Sequence, residues 1–285
     1  MSWIFKRRKI EDKIQSLPAV IYKYRNWDSE NHRDLLYRNE VFMSLFSDFN
    51  DPFDCKICVN HLLLDTAAKK QRFLENSLVE HQEYLLDTFK DIEIGKKLLE
   101  NNLKDLQQYQ NSAEISNDGF MEHFGIASFS SKWDSILMWS HYSNYHKGFC
   151  VGLHEDKMRN SQQFGKGANV VYTKDFPLLD PLLNSEDDIH KMRPFFKSSE
   201  WAYEHEYRLI NIYYPYKPSS QQRVVSINND CFKEVIVGLK ISSEAKAQIL
   251  DICKLKNIDV YEVERVPFKF ELRRKLIYSA VRGDI

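Results

Sequence analysis

The chain has 285 residues, enough for one large domain with a full hydrophobic core. A hydrophobic content of 43% with 28% charged residues is typical of a globular protein, and the net charge of −1 argues against a large nucleic-acid-binding surface. Five cysteines, an odd number, favour reduced thiols in the cytoplasm. No apolar run has the length of a signal peptide or a membrane span, so we expect no membrane partner.

The first part of the chain predicts short strands around a polar turn. Residues 19–25 are β-branched and aromatic and predict a strand, 30–38 predict a helix, and 41–45 and 55–64 predict two more strands. Phe49-Asn50-Asp51-Pro52-Phe53-Asp54 has the chemistry of an ordered turn anchored by its two phenylalanines. A purely structural turn and a loop in which Asn50 and Asp51 face a ligand explain it equally well.

Residues 65–112 change in character. They are highly charged, and their leucines recur with helical spacing on one face. The pattern predicts two antiparallel helices, a helical-hairpin insertion beside the main sheet. A leucine stripe is typical of core packing, although a lid or a dimer contact is also compatible with it.

The centre of the chain predicts a strand, a helix and a strand. Residues 125–130 and 148–153 have strand composition, and the Ser131-x-x-Asp134 capping box predicts a helix over 132–145. His141 and His146 on that helix lie about 140° apart, so they do not form the zinc-binding pair of one helical turn. Cys55 and Cys58 form a Cys-x-x-Cys without the second pair that a zinc ribbon needs. We therefore expect no metal.

The last part of the chain supplies most of the predicted sheet. Strands are predicted over 169–173, 203–213, 223–227, 232–238, 258–263 and 268–272, and helices over 186–199 and 242–256. The order of the elements from 232 to 263 predicts a β–α–β unit. The fold class is therefore α+β, a mixed central β-sheet flanked by helices, in a single domain spanning residues 1–285.

The strand predicted over 203–213 carries the strongest cluster of charge. With period two, Glu204, Glu206 and Arg208 share one face, opposite Tyr207. A solvated salt bridge at the end of a strand explains this pattern. So does a carboxylate in a cleft whose charge is tuned by Arg208. The glycine-rich, Walker and Gly-x-Ser-x-Gly motifs of common enzymes are absent, so the usual hydrolase, kinase and dehydrogenase assignments are poorly supported.

Several blocks together resemble one bacterial family of proteins of unknown function, over roughly residues 20–265. The blocks are Ile21–Arg25, Asn50-Asp51-Pro52-Phe53-Asp54, the segment Leu137–Tyr142 with Trp139 and His141, Glu204-x-Glu206-Tyr207-Arg208, and Val235–Gly238. The resemblance implies a shared fold and a shared site but no reaction. Candidate ligand-binding residues in the blocks are Tyr22, Asn50, Asp51, Trp139 and His141.

The order of elements is more weakly similar to that of ADP-ribosyltransferases. This resemblance implies NAD as the ligand and Glu206 as the catalytic carboxylate, supported by Glu204 and Arg208. It also implies that Lys23 or Arg25 contacts phosphate or ribose, that Ser130 supports the site, and that Tyr24 or Tyr207 stacks on nicotinamide. Small bacterial proteins of this kind are associated with toxin and phage-defence roles.

Three functional hypotheses follow. The first is an enzyme that cleaves or transfers from a nucleotide-like small molecule, with a macromolecular acceptor for the transferred group left open. The second is a module that senses a nucleotide in the same cleft without chemistry. The third is a metal-dependent nuclease that uses Asp51, Asp54 and Glu206.

Overall fold

A computed structural model describes residues 17–184, 192–281 and 283–284. The sequence predicts a short helix or tail over residues 1–17, and nearly all of that segment falls outside these residues, as does the first part, 186–191, of the helix predicted over 186–199. The described residues form an α+β fold, as predicted, with a large mixed sheet flanked by helices.

Within the described residues the main sheet has nine strands, which are β1 Val20–Arg25, β3 Phe124–Ser130, β4 Phe149–His154, β5 Lys166–Asn169, β8 Glu206–Ile212, β10 Phe232–Val237, β11 Asp259–Arg265, β12 Leu272–Ser279 and β13 Gly283–Asp284. Their order across the sheet is β13-β12-β11-β10-β4-β1-β3-β8-β5. Two small sheets pair β2 (Glu40–Phe42) with β9 (Val224–Ser226) and β6 (Val171–Thr173) with β7 (Phe196–Ser198). Within the main sheet, β10 and β11 are parallel and connected by a helix, which confirms the predicted β–α–β unit.

The described helices are α1 Glu30–Tyr37, α2 Ala67–Glu80, α3 Gln82–Phe89, α4 Ile92–Asn102, α5 Leu106–Met121, α6 Ile136–Tyr142, α7 Glu155–Asn160 and α8 Ser243–Lys256. The predicted helical insertion is present, but it consists of four helices, α2 to α5, and continues to Met121. The side chain of Thr66 caps the start of α2, and those of Asp91 and Asp105 cap the starts of α4 and α5, which explains the two breaks before these helices. None of the described helices has the length and apolar character needed to cross a membrane.

The sheet is buried on both faces. On one face Leu36 of α1 and Ile249 of α8 pack with Ile21, Val151 and Val235 in the largest core cluster. On the other face Tyr22, Tyr24, Trp139, Cys150 and Ile236 form a second cluster. The alternation along β1 therefore places Tyr22 and Tyr24 on one face and Lys23 and Arg25 on the other.

Strands β1 and β3 separate after a single register pair, Tyr22 opposite Ser130. On their outer sides each strand is fully paired, β1 with β4 and β3 with β8. The sheet is thus split near its centre, and backbone groups in the split need other partners. Lys23 supplies one, since its ammonium donates to the Ser128 carbonyl oxygen. This split positions the site described below.

Two predicted strands are wrong. Residues 55–64 form turns and a short 3-10 helix at His61–Leu63, whose start is capped by the Asn60 side chain. The last long strand is Leu272–Ser279 rather than 268–272. The strand predicted over 169–173 is divided into β5 and β6, which belong to different sheets.

Two helical predictions also need correction. The helix predicted from Lys132 begins at Ile136, because Ser135 rather than Ser131 is its N-cap, and it ends at Tyr142. Residues 196–198, predicted as helix, form β7. The strand predicted from Tyr203 begins only at Glu206, since Ser199–Glu204 is a 3-10 helix that ends at His205 in the left-handed region, φ 46°.

Candidate functional site

A cavity of about 190 Å³ lies at the split between β1 and β3, and we call it the central cavity. The predicted site residues that line it are Tyr22, Lys23, Tyr24, Arg25, Asn50, Ser130, Glu204, Glu206 and Arg208. Lining residues that were not predicted as part of a site include Lys197, Tyr142 and Ser128. Asp54, which is a site residue only in the nuclease hypothesis, also lines it. Side chains from both faces of the sheet reach the cavity because the split opens the sheet between them.

Arg208 lies at the centre of a wall of charged side chains, formed with Asp54, Glu204, Glu206 and Lys197, and has no exposed surface. Its guanidinium bonds both oxygens of Asp54, at 2.8 and 2.6 Å, and both oxygens of Glu206, at 2.7 and 2.9 Å. It also donates to the Pro194 carbonyl oxygen at 2.7 Å. The planar fork of an arginine can hold two carboxylates in this way, whereas a lysine cannot.

Lys197 adds a second cation to the same wall. Its ammonium lies 2.6 Å from Glu204 Oε2, 3.2 Å from Glu206 Oε2 and 3.5 Å from Asp54 Oδ2. The residue stands on β7, opposite Tyr172 of β6, whose hydroxyl accepts a bond from the Glu206 backbone N–H at 2.8 Å. Three carboxylates therefore share two cations.

Glu204 and Glu206 differ in their pKa values. Burial raises the pKa of Glu206, but Arg208 and Lys197 outweigh burial and lower it to about 2. Burial also raises the pKa of Glu204, and here Lys197 does not compensate fully, while the charge of Glu206 raises it further. A pair of acids whose pKa values are driven apart is typical of sites where one carboxylate stays ionised and the other exchanges a proton.

Tyr142 lines the cavity beside Glu204 and bonds its carboxylate. The Tyr142 hydroxyl donates to Glu204 Oε1 at 2.5 Å, and the tyrosine side chain is partly exposed. The backbone beneath Glu204 is fixed by Ser130, whose hydroxyl donates to the Glu204 carbonyl oxygen at 2.7 Å. Ser130 thus supports the site through the backbone.

Two basic residues of β1, Lys23 and Arg25, line another part of the cavity, which we call the positive wall. Lys23 lies 5.1 Å from the centre of the Phe129 ring, and burial together with the neighbouring Arg25 lowers its pKa well below the usual value. Arg25 Nε is buried and has no hydrogen-bond partner among the described residues. Burial lowers the pKa of Arg25 to about 10, and no carboxylate of the described residues pairs with it. A cation held without a counterion beside a cavity favours an anionic ligand.

Four predicted site residues lie elsewhere. Trp139 is fully buried and packs edge-on against Tyr24, with ring centres 5.2 Å apart. Tyr207 is fully buried on the opposite face of the sheet, where its hydroxyl donates to Glu155, so it has no surface for a ligand. His141 is exposed near Tyr203. These three do not line the central cavity.

Asp51, the fourth, is buried within its turn and does not line the central cavity either. One of its oxygens accepts a bond from the Phe53 backbone N–H at 2.9 Å, which is the turn chemistry that the sequence predicts. Of the two expected anchors, Phe49 packs inward against the Arg208 guanidinium at 5.2 Å, whereas Phe53 is exposed. Phe53 is therefore not an anchor of the turn.

The described residues contain no group of three or more His, Cys, Asp or Glu arranged around a metal position. Asp54 and Glu206, two ligands of the nuclease hypothesis, are both bonded to Arg208. Cys55 is buried beside them, and burial raises the pKa of its thiol, so it is not a reactive thiolate.

The fold and the cavity define an α+β protein with a split sheet and a cavity of opposed charges. Over residues 138–209 the chain is similar to a family described as a protein of unknown function (DUF2971). That segment includes Glu204, Glu206 and Arg208 and excludes the Asn50–Asp54 turn and β1. No curated protein and no solved structure matches the chain significantly.

Proposed function

We propose that the protein is an enzyme that cleaves the glycosidic bond of a nucleotide-like ligand, with NAD as the candidate substrate. One observation carries the proposal: the ionised Glu206 lines the same cavity as Arg25, whose Nε has no hydrogen-bond partner among the described residues. A phosphate of the ligand would meet the positive wall, and its ribose would meet the carboxylates. The cavity is smaller than the roughly 300–1,000 Å³ of pockets for whole drug-sized ligands. It therefore suits a sugar phosphate, with the rest of the ligand outside it.

Glu206 would supply a fixed negative charge. When the bond between ribose C1′ and the nicotinamide nitrogen breaks, the electron pair leaves with nicotinamide and positive charge develops on the ribose. A carboxylate that is held in place by Arg208 and ionised at every physiological pH stabilises that charge without reorganising.

Glu204 would exchange the proton. A water molecule or the acceptor hydroxyl that attacks C1′ must lose a proton, and a carboxylate with a raised pKa is a better base than an ordinary one. The bond from Tyr142 orients one Glu204 oxygen at the cavity wall. Water as the nucleophile gives an NAD glycohydrolase, and a macromolecular acceptor gives an ADP-ribosyltransferase. In a bacterial cytoplasm either reaction would suit a toxin or a phage-defence effector.

A second candidate function is a nucleotide sensor without chemistry. Both oxygens of Glu206 are already bonded to Arg208, and Oε2 also contacts Lys197. Such a saturated carboxylate suits a structural role, in which case the ligand would interact mainly with Arg25 and Lys23.

An activity assay distinguishes the enzyme from the sensor: the protein is incubated with NAD, and released nicotinamide is detected by chromatography. The enzyme proposal predicts nicotinamide release, reduced about 100-fold or more in E206Q. The matched control is E200Q, because Glu200 is exposed on the neighbouring 3-10 helix. Melting curves would show that each variant is folded.

Binding of NAD without release of nicotinamide would support the sensor instead. Binding is detectable as a shift in melting temperature, since a ligand that prefers the folded state stabilises it. Absence of both release and shift would exclude NAD as the ligand.

A further inference from the structure

A second cavity, of about 210 Å³, shares wall elements with the central cavity, and we call it the aromatic cavity. It is lined by Phe53, Phe176, Ile57, Phe196 and Lys197, among others. Lys197 lines both cavities, and the Asn50–Asp54 turn contributes Asn50 and Asp54 to the central cavity and Phe53 to the aromatic one. A ligand that filled both would straddle the Lys197 side chain.

Two large aromatic side chains stand exposed at this cavity. Phe53 is 61% exposed and Phe176 is 55% exposed, and their rings meet edge to face with centres 6.1 Å apart. Beneath them Ile57 and Phe196 are buried and apolar. A concave apolar surface beside exposed apolar side chains is typical of a site that binds an apolar group.

The position of Phe53 is fixed by its neighbours. Asp54, the next residue, is held by Arg208 at 2.6 and 2.8 Å. Pro52, the residue before, restricts the backbone, and the Phe53 backbone N–H is bonded to the Asp51 side chain. These contacts fix the backbone from which the Phe53 ring projects, and a preformed surface loses little entropy on binding.

We propose that the aromatic cavity binds the nucleobase of the ligand whose sugar phosphate lies in the central cavity. The choice of a nucleotide rests on the proposed function. A flat ring stacks well on aromatic side chains irrespective of its identity. The cavity volume admits one ring system, and Thr173 and Ser198 line it with hydroxyl groups that can bond the edge of a base.

The test compares two probes that differ only in the base. AMP and ribose 5-phosphate are titrated calorimetrically into the wild-type protein and into F53L and F176L, which remain apolar but lose the aromatic face. F270L is the matched control, since Phe270 is a fully exposed phenylalanine on another part of the surface. We expect the wild type to bind AMP more tightly than ribose 5-phosphate by roughly fivefold or more. F53L and F176L should lose that difference and keep their affinity for ribose 5-phosphate, and F270L should behave as the wild type.

Equal affinity of the wild type for the two probes would overturn the inference, and so would failure to bind AMP at millimolar concentration. Stronger binding of N-acetyltryptophanamide than of AMP, lost in F53L, would overturn it in favour of an aromatic peptide side chain as the occupant. The binding test of the aromatic cavity can succeed or fail independently of the test for nicotinamide release. Base-dependent binding without nicotinamide release would retain the nucleobase site and reject the catalysis.

Discussion

Glu206 and Arg208 stand two residues apart on β8 and are joined by two hydrogen bonds, of 2.7 and 2.9 Å, away from solvent. The same guanidinium binds Asp54, so one side chain ties the central strand to the Asn50–Asp54 turn. The geometry of the site and the stability of the fold therefore depend on one residue.

Replacement of Arg208 by lysine should destabilise the protein. R208K keeps the charge but cannot bond two carboxylates at once, so Asp54 or Glu206 is left buried without a full partner. We expect a loss of about 3–5 kcal/mol in the free energy of unfolding, measured with urea. R273K is the control, because Arg273 pairs with Glu264 at the surface and should change stability little. Equal stability of R208K and the wild type would show that the network contributes nothing.

The stability of the fold should depend on pH through Glu206. Its pKa is about 2 in the folded protein against an ordinary value of 4.5, so the ionised carboxylate stabilises the fold above pH 4.5. That contribution is lost as the pH falls from about 4.5 towards 2, and it is on the order of 3 kcal/mol. E206Q should therefore show a flatter dependence of unfolding free energy on pH in this window.

Glu204 should affect the pH dependence of stability in the opposite direction from Glu206. Its pKa is raised, so it favours the fold below pH 4.5, and this contribution is lost as the pH rises through its folded value. E204Q should gain stability relative to the wild type above pH 4.5. Parallel curves for E204Q and E206Q would contradict the different charge states assigned to the two glutamates.

The sequence predicts the strands that form the site better than it predicts the side-chain contacts within the site. Apolar and β-branched runs locate β1, β3, β4, β8 and β10, because burial on both faces leaves a continuous signal. Strand alternation predicts that Glu204 joins Glu206, whereas it reaches the cluster from a 3-10 helix that precedes the strand. The period-two alternation of the residues does not reveal that a 3-10 helix replaces the first part of the predicted strand.

Lys197 could not have been found from the sequence. It lies in a stretch with helical composition, and it becomes strand only by pairing with residues 171–173, a contact between distant segments. Tyr142 likewise lay inside a predicted helix with no indication that its hydroxyl meets Glu204. The bond between Asp54 and Arg208, next to the exposed Phe53, joins residues 154 positions apart and is not visible in the local turn pattern.

The Tyr142 hydroxyl should lower the pKa of Glu204. It donates to the carboxylate and so favours the ionised form. Its removal in Y142F should raise the Glu204 pKa further, measurable by carbon-13 NMR titration of labelled glutamate side chains, with E204Q used to assign the signal. In the enzyme proposal, the acidic limb of the pH–rate profile for nicotinamide release should move to higher pH in the same variant. An unchanged titration would show that the bond is absent in solution.

Arg25 should be more important for the ligand than for the fold. Within the described part of the chain its Nε has no hydrogen-bond partner and no carboxylate pairs with it, and burial lowers its pKa to about 10. R25M removes an uncompensated cation and keeps a side chain of similar length, so we expect the unfolding free energy to rise by about 1 kcal/mol. At the same time, affinity for ribose 5-phosphate should fall at least tenfold, because a charge-assisted bond to the phosphate is lost. R38M is the control, since Arg38 lies largely exposed at the end of α1. A drop in stability without a loss of phosphate affinity would instead assign Arg25 to the core and remove the positive wall from the site.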